Sequence, residues 1–380
     1  MLAGLLAFSG CGKAARNDSN GRGESRKEAA WVAQYRPPAS MSGAFAGTNL
    51  GFFSFNTISV VSKDIAFVGA DFPSIGDPNR RYGAVLRTAN GGKTWIETPL
   101  RTSGFEIDRV NAVRFVNPTL GWAFGSFPSG TDPDSTPTGL SLKTTDGGAS
   151  WAASKIGAAM IPTCAFFADA NNGWMGVITA AAGGNETSGG GEIFATSDGG
   201  VTWRSQHGFP TSINDVFFID KQNGWAGGSS GTIYRTADGG ATWTPQKTGL
   251  EMGTGPDGGS AQFAVYGIHF IDPQTGWAAA RSEDEESGRI VATSNGGLSW
   301  TQSMLADQER LRSVFFVSRN EGWAASSSGR YIYHTTDGGR NWTAEQIVFE
   351  QNLAVYGIAG SDPSHVWAVG GGAIYVRVSQ

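Results

Sequence analysis

Residues 213–243 read Ile213-Asn-Asp-Val-Phe-Phe-Ile-Asp-Lys-Gln-Asn-Gly-Trp225, then Ala-Gly-Gly-Ser-Ser-Gly-Thr, then Ile233-Tyr-Arg-Thr-Ala-Asp-Gly-Gly-Ala-Thr-Trp243. An apolar run leads through a turn-rich stretch into a Gly-Trp pair. A second alternating run then leads through Asp-Gly-Gly into another tryptophan. That order spells strand, tight turn, strand, loop, strand, turn and strand. Four short antiparallel strands in a unit of about 50 residues are the content of one propeller blade.

The unit recurs on both sides. Gly-Trp pairs stand at Gly121-Trp122, Gly173-Trp174, Gly224-Trp225, Gly276-Trp277 and Gly322-Trp323, with degenerate forms at Ala66-Phe67 and Val366-Trp367. The Thr-x-(Asp/Asn)-Gly-Gly-x-(Thr/Ser/Asn)-Trp box runs from Thr88, Thr144, Thr196, Thr236, Thr293 and Thr335. All 13 tryptophans are absorbed by these two signatures and Trp31, which makes chance repetition untenable. The reading is an all-β, seven-bladed β-propeller of four-stranded antiparallel blades over residues 31–380. The last unit ends at Gln380 without a box, so its fourth strand must come from elsewhere. Ala30-Trp-Val-Ala-Gln-Tyr35 has the alternation and the tryptophan for that place, and Gly51 to Asn56 is the rival. Either would close the ring and remove the open sheet edges.

The box residues Asn90, Asp146, Asp198, Asp238, Asn295 and Asp337 resemble catalytic carboxylates only on first sight. A short acceptor beside two glycines holds its own turn, and Asn in place of Asp keeps that ability while losing acid–base chemistry. Cys164, on an inner strand, reads as a buried inert thiol. His207, His269, His334 and His365 fall in separate repeats without ligand spacing, so neither a metal nor a cofactor is expected.

Lys plus Arg is 28 and Asp plus Glu is 33, a net charge of -5, which speaks against a duplex nucleic-acid binder. The first eleven residues, an apolar run ending at Cys11, look like a lipoprotein signal with Cys11 as the lipidated residue. Residues 12–30 are polar and aperiodic and read as a disordered tether. The expected location is therefore extracytoplasmic, on a bacterial membrane through a lipid anchor. Gly12 after the cysteine favours the outer membrane where one exists, and a periplasmic or secreted protein is the alternative.

The long insertions fall on one rim: residues 71–83, 126–139, 180–191 and 281–288, with the blade links 101–109 and 251–263. Loops that grow on one face mark a recognition surface. Arg80, Arg81, Arg101, Arg109, Arg281, Arg310 and Arg312 lie on that side. Arg312 takes the second position of its inner strand, where Asn111, Asn214, Tyr266 and Tyr356 occupy equivalent places. These five are expected to line the mouth of the central channel, where arginine suits an acidic or C-terminal peptide segment. The acidic run Glu283 to Glu286 interrupts the basic field.

The Gly-Trp pair, the box and their order resemble the photosystem II assembly and stability factor family, with plastid and cyanobacterial members, over about residues 31–380. The resemblance implies a membrane-associated, often lipidated, non-enzymatic propeller that binds a newly made membrane protein through an arginine patch. Arg109, Arg310 and Arg312 are the candidates for that patch. Photosystem assembly itself follows only in a photosynthetic host. The function expected is a monomeric, non-catalytic protein-binding scaffold tethered to a membrane. The alternative is a glycan-binding or sialidase- or glycoside hydrolase-like propeller, since those share the box. Arg36-Pro-Pro38 is not the Arg-Ile-Pro element of sialidases. A hydrolase would need two neighbouring carboxyl groups, from Asp71, Asp77, Asp132, Asp134 or Glu186.

Overall fold

The computed structural model describes residues 29–37, 53–74, 77–102, 105–127, 137–179, 190–250, 253–254, 260–261, 263–282, 287–307, 309–328, 331–347 and 354–379. The signal, Cys11 and most of the tether lie outside them. Seven four-stranded antiparallel sheets form the blades of a propeller. Their inner strands are Ser54–Val60, Arg109–Phe115, Met160–Phe167, Ile213–Phe218, Phe263–Phe270, Leu311–Phe316 and Val355–Asp362, for blades 1 to 7 in chain order. Ala29–Tyr35 pairs antiparallel with Ala373–Ser379 and completes blade 7. The rival segment, from Ser54 on, is instead the inner strand of blade 1.

The repeated aromatics explain why blades stack. Trp122, Trp174, Trp225 and Trp277 each lie flat on a phenylalanine of the next inner strand, at ring separations of 3.5–3.6 Å. The tryptophan of the box stands edge-on to that same phenylalanine, as Trp243 does on Phe218 at 88°. Such geometry adds roughly 0.5–1.5 kcal/mol per pair beyond burial. Gly224 precedes Trp225 because a Cβ there would meet the Phe218 ring at 2.5 Å.

The same tryptophans bond the seam. Each indole Nε1 donates to the first glycine carbonyl of the next blade's box: Trp122 to Gly199, Trp174 to Gly239, Trp225 to Gly296 and Trp277 to Gly338. Blade 1 carries Phe67, which has no such donor, and there Arg87 Nη1 donates to the Gly147 carbonyl at 3.1 Å. Blade 7 has no box, and Trp323 of blade 6 finds no carbonyl for its buried Nε1 among the described residues. Its indole lies instead against the His334 ring at 4.8 Å and under Arg377 at 5.5 Å.

Within the box, Thr236 Oγ1 donates to Asp238 Oδ1 and accepts from the Gly240 N–H. Asp238 accepts from Thr242 N and Thr242 Oγ1. Gly239 and Gly240 adopt φ of 73° and 93°, where a side chain would be strained. The hydroxyl and N–H of Thr242, with the Thr236 hydroxyl, hold the Asp238 carboxyl at a pKa of about 2. This carboxylate is spent on its own turn.

A vestibule, a seven-residue neck and a channel

Each inner strand contains a β-bulge, and the bulges fall at one level of the ring. The unpaired residues are Asn56, Asn111, Thr163, Asn214, Tyr266, Arg312 and Tyr356. A bulge re-aims its side chain away from the ladder. All seven line both a vestibule of about 580 Å³ on the loop-rich rim and a channel of about 410 Å³ below it. They therefore form the neck between the two. The sequence marks five of them. Asn56 escapes because its strand was the rival closing segment, and Thr163 because its apolar run is loose.

The neck has two halves of different chemistry. In blades 1 to 4 the bulged side chain donates to the backbone carbonyl just before the next bulge. Asn56 donates to Val110 at 3.1 Å, Asn111 to Pro162 at 2.8 Å, Thr163 to Ile213 at 2.5 Å and Asn214 to Val265 at 3.1 Å. Tyr266, Arg312 and Tyr356 make no such bond among the described residues. Instead the Arg312 guanidinium lies 5.3 Å from the Tyr266 ring centre and 5.0 Å from that of Tyr356. Arg281, on the second strand of blade 5, donates to Tyr266 Oη at 2.9 Å and sits 4.3 Å from the same ring.

Neither Arg281 nor Arg312 is paired with a carboxylate among the described residues. Burial lowers the pKa of Arg312, and the like charges of Arg281 and Arg109 lower it further, against the two tyrosines. Two cations sharing one aromatic ring, half-withdrawn from water, form an anion site with forked donors already oriented.

Of the other arginines, Arg81 and Arg109 line the same vestibule. Arg81 pairs with Asp71 at 2.7 Å, and Asn56 Nδ2 donates to the remaining Asp71 oxygen. Asp71 is 2% exposed and raised in pKa by burial, which outweighs Arg81. It lines the vestibule with its two oxygens engaged by Arg81 and Asn56. Asp108, beside the exposed Arg109 on the vestibule wall, is likewise raised by burial. Arg101 and Arg80 are both exposed and reach Glu106 at 2.9 and 3.6 Å, on the link between blades 1 and 2. Arg310 is exposed on the link into blade 6, where its carbonyl accepts from Ser327 N at 2.8 Å. The side chains of Asp77, Asp132, Asp134, Glu186 and the Glu283–Glu286 run lie outside the described ones.

Below the neck, Phe166, Phe217, His269 and Phe315 follow one another around the channel wall at ring separations of 5.2, 5.3 and 5.1 Å. His269 Nε2 donates to the Phe316 carbonyl at 3.0 Å, and burial pushes its pKa down to about 4, so it is a neutral ring at pH 7. Arg114 Nε donates to the Ala165 carbonyl at 2.6 Å. Asp215 accepts from the N–H groups of Ile268 and Val216 at 2.7 and 2.9 Å. Burial raises Asp215 to about 6 despite Arg114 and these donors. Cys164 is 5% exposed, and burial raises its thiol to about 12, an inert state. No group of three or more His, Cys, Asp or Glu among the described residues is placed to hold a metal.

Residues 260–379 match the family model described as photosynthesis system II assembly factor YCF48. That span is blades 5 to 7, the blades that supply Tyr266, Arg281, Arg312 and Tyr356. No curated protein sequence matches the chain. Among solved structures, YCF48 bound to D1 peptide superposes with a TM-score of 0.59 at 18% identity, covering 86% of this chain and 93% of that one. YCF48 from Cyanidioschyzon merolae gives 0.54 at 19%, covering 91% and 98%. The GH74 xyloglucanase from Xanthomonas campestris gives 0.55 at 12%, covering 83% of this chain and 50% of its own. The chain is a seven-bladed Asp-box propeller, and its last three blades carry the repeat of the photosynthesis system II assembly factor family.

Proposed function

We propose that this chain is a non-catalytic protein-binding scaffold, an assembly or stability factor that holds an exposed acidic segment of a membrane protein at its neck. The observation that carries the reading is the Tyr266–Arg281–Arg312–Tyr356 cluster at the vestibule wall, in which two oriented guanidinium groups share one tyrosine ring and have no carboxylate partner among the described residues. The likeness of blades 5 to 7 to an assembly-factor family, and of the fold to a YCF48 bound to a peptide, supports it. The Cys11 signal would place the protein outside the cytoplasm on a lipid anchor, as a monomer facing its partner across the tether. In a photosynthetic host the partner would belong to photosystem II.

A glycoside hydrolase needs two carboxyl groups facing the sugar. Asp71 is locked by Arg81 and Asn56, and its burial leaves the glycan reading without an equivalent support.

The test is crosslinking of the purified protein to native membranes, with wild type compared against Arg281→Gln/Arg312→Gln. The expected result is loss of one membrane-protein partner with thermal stability kept. A partner profile unchanged by the double variant overturns the reading.

A further inference from the structure

The neck opens into a channel whose chemistry differs from that of the vestibule. One half of its wall is the aromatic arc Phe166–Phe217–His269–Phe315. The facing part, from blades 7 and 1, includes Thr57, Ser59, Val60, Gly357, Ala359 and Gly360, all smaller than the rings of the arc. The channel thus has flat apolar rings on one side and free room opposite them. It holds about 410 Å³, within the range of roughly 300–1,000 Å³ of pockets that bury small groups. The neck joins it to the vestibule, so a group that enters from that face passes Arg312.

We infer that the channel below the neck is an anchor pocket for one aromatic side chain of the bound acidic segment. This deepens the scaffold reading and rests on it. The carboxylate of the segment would engage Arg281 and Arg312, and the neighbouring aromatic residue would pass the neck and lie against the arc. An aromatic side chain seated in a preformed pocket beside charged rim contacts is a common form of interface hot spot. The arc suits a ring better than an aliphatic chain, because offset and edge contacts between rings add to simple burial. A polar tip on that ring also has partners. Among the described residues Arg114 uses Nε alone, on the Ala165 carbonyl, so its two terminal nitrogens remain for a hydroxyl oxygen. Asp215 stands on the same cavity as an acceptor. Tyrosine is the side chain that satisfies both the wall and the tip.

The probes are fluorescein-labelled heptapeptides of Gly, Ser and two Asp, differing only in Tyr or Ala at the centre, titrated by anisotropy. The wild type should bind the Tyr peptide about tenfold more tightly than the Ala peptide, a difference of about 1.4 kcal/mol. Ala359→Phe, which fills the open side, should abolish that preference and leave the Ala peptide unchanged. Equal affinity of the two peptides for the wild type would overturn the anchor pocket and leave the scaffold reading standing. Binding of neither peptide would remove the acidic-segment reading, and the anchor with it. The wild-type comparison needs no variant to fold.

Discussion

Trp367 Nε1 donates to Gln34 Oε1 at 3.0 Å, joining residues 333 positions apart in the chain. Gln34 Nε2 in turn donates to the Gly91 carbonyl at 2.9 Å. At four other junctions a tryptophan reaches the carbonyl of the next box directly. At the junction of blade 7 with blade 1, a glutamine of the closing strand relays the bond. The N-terminal strand therefore supplies both the last edge of a sheet and a link in the ring of indole bonds.

Gln34→Leu should remove both ends of this relay while keeping the bulk of the side chain. The loss is two partly buried hydrogen bonds, each worth about 1 kcal/mol. Urea denaturation should show a destabilisation of about 1–2 kcal/mol. A midpoint within error of the wild type would mean that strand pairing alone closes the ring.

The opposite side of the closing strand packs Trp31 into an apolar cluster and sets its indole N–H against a polar clasp. Trp31 Nε1 donates to Glu345 Oε2 at 2.8 Å, and Arg377 contacts both carboxylate oxygens of Glu345 at 2.7–3.1 Å. His334 lies between Glu321 and Glu345, at 3.2 Å from each. Burial alone would raise the Glu345 carboxyl, but the hydrogen bonds of His334 and Arg377 outweigh it, and the pKa falls below the ordinary 4.5. A depressed folded pKa contributes stability that is present above the unfolded value and lost as pH falls through the folded one. The wild type should thus lose stability below about pH 4.5 more steeply than Glu345→Gln, although the variant starts about 3 kcal/mol lower from the stranded Arg377. Parallel pH profiles of the two would show that this clasp does not hold the seam.

The box carboxylates allow the reverse kind of check. Asp238→Ala should lower the melting temperature by about 2 °C and leave binding at the neck untouched, since Asp238 serves only its own turn on the far side of the blade. Asp238→Asn should recover most of the loss, as Asn90 and Asn295 already stand at this position and hold their turns through Oδ1 and Nδ2. A binding defect in a fully folded Asp238→Ala protein would give the box a functional part.

What the sequence discloses follows from what repeats. The Gly-Trp pairs and boxes recur because every blade needs the same stack and the same turn, so blade number, strand order and the closing strand are legible from spacing. The seam substitutes are not, because each occurs once. Nothing in the sequence couples Arg87 to the missing indole of Phe67, or Gln34 to Trp367. The neck is legible where inner strands align well, as at Asn111, Asn214, Tyr266, Arg312 and Tyr356. The division of labour around it is not, since only the fold reveals which bulged side chains are occupied with backbone carbonyls. Grouping seven arginines by face placed Arg80 and Arg101 beside Arg312. Loop geometry instead turns those two to Glu106. Asp215, Arg114 and His269 look like solvated strand residues in the sequence, because a channel wall and an outer face share the same period of two.

Asp215 yields the last prediction. Its pKa is raised to about 6, first by burial, with Arg114 and two backbone N–H groups holding it from rising further. A raised folded pKa contributes stability that is full below the unfolded value of 3.8 and lost as pH rises through the folded value. Ionising this carboxyl in the channel should cost roughly 3 kcal/mol between about pH 4 and 6, and no more above that window. Asp215→Asn keeps an acceptor for one of the two N–H groups and carries no charge. Urea midpoints should therefore fall with rising pH across that window in the wild type and stay level in the variant. A peptide whose tyrosine hydroxyl donates to Asp215 would favour the ionised form and shift the wild-type transition to lower pH. If the wild type and the variant run parallel from pH 4 to 7, the carboxyl is fully charged throughout and the channel is wetter than its walls imply.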